Sequence, residues 1–150
     1  MRAVVQRVTM ASVNCSSGHF DKIENGLLVF IGIESSDGKE DIEWLSGKIS
    51  RLRLFEDNNG VMNLSISDAC GEALVISQFT LHASIKKGNR PSYIKAAEPG
   101  FSGPMFNDFL LRFEKDLGRK VKRGVFGDHM EVSLVNKGPV TIIIDTKNKE

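Results

Sequence analysis

The sequence has few of the residues that mark a disulfide framework or a metal site. Its two cysteines, Cys15 and Cys70, lie far apart and form no CxxC motif, so we expect two free thiols in a reducing compartment. Its three histidines, His19, His82 and His129, lack the i, i+4 or His-x-His spacing that brings two imidazoles onto one ion. We therefore predict that the chain binds no metal.

Long apolar runs are also missing. The longest, residues 27–33, is far shorter than the ~20 residues of a membrane helix, and Arg2, Gln6 and Arg7 interrupt the apolar N-terminal segment where a signal peptide is continuous. We expect a cytoplasmic protein with no membrane partner. The composition, 41% hydrophobic and 26% charged, fits one globular domain over residues 1–150.

Positively and negatively charged residues are nearly equal in number. A net charge of +1 excludes binding of nucleic acid through bulk positive potential, because each phosphate needs its own Lys or Arg nearby, and we expect no DNA partner. The basic residues are nevertheless clustered, in one loop at Lys86, Lys87 and Arg90 and again at residues 119–123. Each cluster alone is typical of a solvated surface, and a local phosphate contact stays open.

Several common catalytic motifs are absent too. The chain has no G-x-S-x-G, no P-loop and no G-x-G-x-x-G after a strand, so the usual hydrolase, NTPase and dinucleotide templates do not apply. We therefore predict no cofactor, and any catalysis depends on a sparser arrangement.

The hydrophobic pattern predicts an α+β fold in which two helices cover a mainly antiparallel sheet. One helix starts near Asp37, and the other starts at Pro104 and ends at Gly118. Asn59-Gly60 predicts a hairpin between residues 52–55 and 61–64. The predicted strands are 1–9, 11–15, 27–33, 73–81, a stretch leading to 136, and 140–144, with a turn at 16–18.

The end of the strand at 73–81 is unusually polar. Ser77, Gln78, Phe79 and Thr80 follow the apolar residues 73–76. The period of two places Gln78 and Thr80 on one face, where both could line one pocket. A strand that emerges into solvent explains the pattern equally well.

A second anomaly lies between the last two predicted strands. Residues 136–141 place Gly138 and Pro139 there, although proline donates no ladder hydrogen bond. A plain turn is the alternative explanation, and a cis X-Pro bond has a base rate of only about 5–6%.

Together these segments, SQFTL and NKGPVT, closely resemble the paired motifs of the D-aminoacyl-tRNA deacylases. The resemblance extends to residues 2–8, 88–92 and 130–136 and so covers nearly the whole chain. It implies a barrel-like core and hydrolysis of the ester that joins a D-amino acid to tRNA, with free tRNA and D-amino acid as products.

The resemblance also implies a homodimer whose active site lies at the subunit interface. A cis Gly138–Pro139 loop of one subunit would reach the partner's pocket and exclude L side chains, with Arg7 holding that loop. Glycine has no side chain to exclude, so we expect some activity on glycyl-tRNA, including glycine mischarged on tRNA(Ala). The other residues predicted to line the pocket are Phe126, Met130, Asn136, Val140 and Thr141.

For the chemistry, Thr80 suggests a nucleophile, but no motif places a base beside it. His82 would share its face only in a regular strand, and we interpret it as a bystander. We favour backbone N–H groups around Phe79 and Thr80 as an oxyanion hole, with a ribose hydroxyl of the RNA supplying the acid–base group.

Lys86, Lys87 and Arg90 are the predicted contacts to the acceptor end of tRNA, because phosphate contacts position RNA without reading its sequence. Three positions depart from the commoner family pattern, namely Tyr93, Asp128 and Lys137. Two alternatives remain: a paralogous deacylase acting on L-alanyl-tRNA(Thr), and a non-catalytic tRNA-binding dimer.

Overall fold

A computed structural model describes residues 1–149 of the chain. Within those residues lie eight strands, two α-helices and one short 3-10 helix. In chain order they are β1 Arg2–Cys15, β2 Phe20–Ile23, β3 Gly26–Gly32, α1 Lys39–Arg51, β4 Phe55–Glu56, β5 Met62–Leu64, β6 Glu72–Ser77, the 3-10 helix Phe79–His82, α2 Pro99–Leu117, β7 Lys122–Arg123 and β8 Met130–Asp145.

The main sheet is built around β1. One edge of β1 pairs antiparallel with β3 and then β2, and the other edge pairs antiparallel with β8. β6 adds to β3, and β7 adds to β6, both in parallel. The Arg123 backbone N–H donates to the Asp21 carboxylate at 3.0 Å, which brings β7 beside β2. The sheet is thus a nearly closed barrel, so the α+β prediction is confirmed, while the parallel pairs were not predicted.

The two helices cover one face of this sheet. Helix α2 contributes Phe106, Phe109 and Phe113, which are at most 1% exposed, and α1 contributes Leu45 and Ile49, both fully buried. These residues recur at helical spacing on one face. The aromatic residues of α2 therefore belong to the core.

The start of α2 was predicted wrongly. The helix begins at Pro99 after Glu98 as the N-cap, and Pro104 lies inside it. Proline suits the first helical position, where its missing N–H would be unpaired in any case. Both prolines satisfy that preference by sequence, so the motif alone could not choose between them.

Other boundaries shift for similar local reasons. β1 is one continuous strand rather than two, and α1 has Gly38 rather than Asp37 as its N-cap, with the Gly38 N–H donating to Asp41 at 2.9 Å. The hairpin at Asn59-Gly60 is confirmed, although its strands β4 and β5 are only two and three residues long.

The strand predicted for 73–81 is shorter than expected. β6 ends at Ser77, and the chain then turns into the 3-10 helix. The predicted break at 136–141 is also different, because β8 continues through it with an irregular register. Within residues 1–149 no helix is long and apolar enough to cross a membrane, and no group of three or more metal-ligating side chains is found there.

Candidate active site

The 3-10 helix gives the end of β6 its special geometry. Its first internal hydrogen bond runs from the Leu81 N–H to the Gln78 carbonyl at 3.3 Å. The N–H groups of Phe79 and Thr80, at the start of the helix, therefore have no acceptor within it, as at any helix start. The Gln78 N–H donates to the Ile31 carbonyl at 2.7 Å and ties the turn to β3.

The polar side chains of this turn interact with each other. The Gln78 amide donates to the Thr80 hydroxyl at 2.6 Å, although the helix ended the strand alternation that predicted their proximity. Ser77 and Thr80 are partly exposed, and Phe79 is 56% exposed. The four predicted catalytic residues thus form one accessible turn.

Gly32, at the end of β3, allows this turn to pack closely. A Cβ at Gly32 would lie 2.9 Å from the Leu81 Cβ, 3.0 Å from the Gln78 carbonyl oxygen and 3.1 Å from the His82 Cδ2. These distances are too short for any side chain larger than hydrogen. On the other flank, Arg2 donates to the Leu81 carbonyl at 3.0 Å, so the turn is held on both sides.

His82 lies beneath the turn and is 1% exposed. Burial lowers the pKa of its imidazole, while the Gly32 backbone and the Glu34 carboxylate act in the opposite direction and Arg2 and the Met1 amine add to the lowering. Its Nδ1 is 3.9 Å from the Glu34 carboxylate, and neither ring nitrogen has a hydrogen-bond partner among the described residues. Burial therefore favours the uncharged form of the ring by lowering its pKa.

The second segment is an outward bulge of β8. Gln6 pairs with Thr141 and Val8 pairs with Asn136, so β8 places residues 137–140 opposite Arg7 alone. The Gly138–Pro139 peptide bond is cis, and both residues are exposed. The tip of the bulge faces solvent.

The base of the bulge is fixed by two side chains. The Asn136 amide donates to the carbonyls of Arg7 and Val140 at 2.9 and 3.0 Å. Arg7 is 3% exposed and donates to the carbonyls of Lys137 and Leu54 at 3.2 and 2.7 Å. The guanidinium thus connects the bulge to the chain before β4.

The two segments lie apart within one chain. Leu81 contacts β1 at Arg2, whereas the bulge lies at Arg7, about 16 Å further along at about 3.3 Å per residue. They also adjoin opposite edges of β1, since β6 continues from β3 and the bulge belongs to β8. No hydrogen bond joins them within residues 1–149.

The remaining predicted pocket residues are dispersed. The Phe126 ring lies 6.1 Å from the Phe106 ring, and Met130 begins β8 beside Cys15. Val140 is 4% exposed and belongs to the core, and Thr141 accepts a hydrogen bond from Gln6 at 3.2 Å. Their role in a pocket stays a prediction.

One cavity of the described chain has a volume of about 730 Å³ and touches the turn only at Leu81. None of the four predicted catalytic residues lines this cavity. The sequence argument missed Gly32 and Asp145, which support that turn. Asp145 accepts from the Arg2 Nε at 2.8 Å; burial opposes its ionisation, but hydrogen bonds from Lys147 and Arg2 outweigh that effect and lower its pKa.

Two solved structures share this architecture. One, the c-Myc DNA Unwinding Element Binding Protein, is 38% identical, with a TM-score of 0.88 over 97% of this chain and 99% of the other. The second is described as a probable eukaryotic D-amino acid tRNA deacylase; it is 14% identical, with a TM-score of 0.82 over 95% and 97%. The second likeness concerns the fold alone.

Comparison of the sequence identifies the family, whereas the structural likeness to the second structure shows only the fold. The family model for D-Tyr-tRNA(Tyr) deacylase matches residues 4–145. Proteins of Flavobacterium psychrophilum and Porphyromonas gingivalis, each named D-aminoacyl-tRNA deacylase, are 58% and 55% identical over 150 residues, with both chains fully covered in each case. The chain therefore belongs to the D-Tyr-tRNA(Tyr) deacylase family.

Proposed function

We propose that this enzyme hydrolyses the ester bond of D-aminoacyl-tRNA and releases free tRNA and the D-amino acid. The observation that carries the proposal is a pair of N–H groups, at Phe79 and Thr80, that have no acceptor among residues 1–149 and lie on a partly exposed turn held by Gly32 and Arg2. Fixed donors of this kind stabilise the oxyanion that forms when water attacks an ester. The cytoplasm is the predicted compartment.

The environment of Thr80 argues against a side-chain nucleophile. Its hydroxyl accepts the Gln78 amide, and a nucleophilic hydroxyl needs instead a base that accepts its proton. His82 is buried, and neither of its ring nitrogens has a hydrogen-bond partner within the described chain, so the imidazole is not bonded to the Thr80 hydroxyl. We therefore assign the acid–base role to a ribose hydroxyl of the substrate.

The bulge at Gly138 and Pro139 is the proposed element of chiral selection. Its base is anchored by Arg7 and Asn136, while its tip is exposed, so the tip can act as a rigid wall for a ligand outside its own subunit. The separation of the bulge from the Phe79 turn within one chain supports a homodimer that brings the two together. An L side chain would collide with this wall, whereas a D side chain points away.

Steric exclusion has a consequence for glycine. Because glycine has no side chain in either direction, the wall cannot reject it, and glycyl-tRNA, including glycine mischarged on tRNA(Ala), should also be cleaved. Lys86, Lys87 and Arg90 are all exposed on the loop after the turn, where they could contact acceptor-end phosphates.

The direct test is to compare D-tyrosyl-tRNA, L-tyrosyl-tRNA and glycyl-tRNA with the same preparation. The proposed enzyme clears the first, spares the second and cleaves the third to a measurable extent. Clearance of L-alanyl-tRNA(Thr) in preference to D-tyrosyl-tRNA would identify the paralogous activity instead. Binding of all the tRNAs without hydrolysis would identify a non-catalytic tRNA-binding dimer.

A further inference from the structure

The segment that follows the 3-10 helix, residues 83–97, has a one-sided composition. It contains four basic residues and no acidic residue, and none of the four forms an ion pair within residues 1–149. All four are exposed. They are Lys86, Lys87, Arg90 and Lys95.

This segment is folded back towards the turn. Ser84 and Ser92 exchange two backbone hydrogen bonds of 2.8 and 2.9 Å, which close the basic loop between them. The next residue, Tyr93, then meets Phe79 edge to face, with ring centroids 5.1 Å apart and an interplanar angle of 76°. The loop therefore brings Tyr93, which lies three residues after Arg90, into contact with the first residue of the 3-10 helix.

Both rings remain accessible. Phe79 is 56% exposed and Tyr93 is 41% exposed, and an edge-to-face contact occupies at most one face of one ring. Exposed aromatic rings interleaved with unpaired cations are the combination that binds single-stranded nucleic acid, since bases stack on the rings and phosphates pair with the cations. Bases in a duplex are already stacked on each other, so the ligand must be an unpaired base.

We propose that Tyr93, supported edge-on by Phe79, is a stacking platform for one unpaired nucleobase next to the acylated end of the RNA. Lys86, Lys87 and Arg90 contact the phosphates beside that base. This inference rests on the proposed function, because it takes the substrate to be RNA with an unpaired 3′ end. Since Phe79 is also the first residue of the 3-10 helix, a base stacked on Tyr93 would fix the RNA relative to the proposed N–H donors.

The test uses an unacylated RNA hairpin with a four-nucleotide unpaired 3′ extension. In a set of variants of this RNA, each unpaired base in turn is removed to leave an abasic nucleotide. Wild type should lose about tenfold in affinity at one abasic position, as expected for one stacked base. Tyr93→Ala should bind the intact RNA about tenfold more weakly than wild type does. It should bind that one abasic RNA as well as wild type does, because the stacked base is already missing. Tyr93→Phe should bind every RNA like wild type.

Two control variants separate stacking from other effects. Phe20→Ala removes an exposed ring, 59% accessible, on β2 and should leave affinity unchanged. Lys86→Gln should weaken all the RNAs equally and reduce the salt dependence of binding, because a phosphate contact does not depend on the base.

The outcomes are distinguishable from those that test the reaction. If Tyr93→Ala weakens every abasic RNA by the same factor, no base stacks on the ring and the platform is refuted, even while wild type still clears D-tyrosyl-tRNA. If the abasic pattern holds but D-tyrosyl-tRNA survives, the platform stands and the proposed reaction fails.

Discussion

The Phe79 turn and the Gly138 bulge are both exposed, but they are built in opposite ways. The turn is positioned chiefly by backbone contacts, namely the Gln78 bond to β3 and the close approach of Gly32, with one side-chain bond from Arg2. The bulge is positioned by side chains, since Arg7 and Asn136 hold its carbonyls. The turn is the proposed source of the N–H donors, and the bulge is the proposed wall.

This difference suggests a division of labour across a dimer. Donors that stabilise charge must be fixed relative to the reacting atoms, and a wall that excludes one enantiomer must be equally rigid. The structure supplies rigidity at both places but keeps them on opposite edges of β1. Four predictions test how far the two regions act separately.

The largest effect should come from two separate variants, one altered in the bulge and the other in the turn. At Gly138 an added Cβ meets only the Asn136 amide oxygen, at 3.5 Å, apart from the adjacent residues, so Gly138→Val should preserve the fold while its side chain narrows the proposed pocket. Gly32→Ala should displace the Phe79 turn, because the nearest atoms lie at 2.9–3.1 Å. Each variant should lose about a hundredfold in kcat/KM on D-tyrosyl-tRNA, since small misplacements are that costly.

Mixing and refolding the two variants together should restore about a quarter of wild-type activity. Half of the random dimers are mixed, and each mixed dimer assembles one intact site of two. Gly100→Ala, where nothing lies within 4 Å of the added Cβ, is the matched control and should remain fully active. No recovery on mixing would show that both regions serve the same chain.

The next effect concerns the wall alone. Asn136→Ala removes the amide that bonds Arg7 and Val140 and should cost about 1 kcal/mol of stability. The loosened bulge should narrow the preference for D- over L-tyrosyl-tRNA by about tenfold, measured from paired deacylation rates. The control variant Asn107→Ala, at an exposed position of α2, should leave this preference unchanged. If Asn136→Ala also leaves the ratio of the two rates unchanged, the Asn136 hydrogen bonds do not contribute to selectivity.

A smaller effect is expected at the hydroxyl of the turn. Thr80→Ala keeps the backbone N–H and removes only the acceptor of the Gln78 amide, so kcat should fall by less than about fivefold. Single-turnover rates on D-tyrosyl-tRNA measure this directly. Complete loss of turnover with intact folding and tRNA binding, together with rescue by Thr80→Ser, would make the side chain the nucleophile.

The smallest effect distinguishes the two regions by pH. His82 beneath the turn has a lowered pKa because it is buried, so the unfolded chain binds its proton more readily than the folded chain. Above pH 6.5 this histidine does not reduce the free energy of unfolding. Below pH 6.5 it lowers the free energy of unfolding by at most about 1.4 kcal/mol per pH unit. The bulge contains no comparable group, because residues 137–140 include no histidine.

Thermal unfolding between pH 5 and 7.5 tests this prediction. His82→Phe keeps a ring but cannot be protonated, and it should show a shallower decline than wild type below pH 6.5. His129→Gln, at an exposed position, should follow the wild-type curve. Parallel curves for wild type and His82→Phe would mean that His82 is protonated equally in both states.

Sequence reasoning succeeded where one local pattern dominated. The Asn59-Gly60 hairpin, the strand β3 and the end of α2 at Gly118 follow from turn chemistry and periodicity. It failed where two positions met the same local preference, as with Pro99 and Pro104. It also failed at Ser77, because no local signal tells whether a strand continues or turns into a 3-10 helix when the deciding contact is Gly32, 45 residues away.

The sequence by itself determined the α+β class, the two unusual segments and the family to which they belong, because periodicity, turn residues and motifs are properties of neighbours along the chain. Only the tertiary structure decided that Gln78 and Thr80 meet through a helix, that Arg7 is buried beneath the bulge, and that Tyr93 folds back onto Phe79. Those contacts join distant or re-directed residues, and their free energy depends on burial and geometry that exist only after the chain has packed.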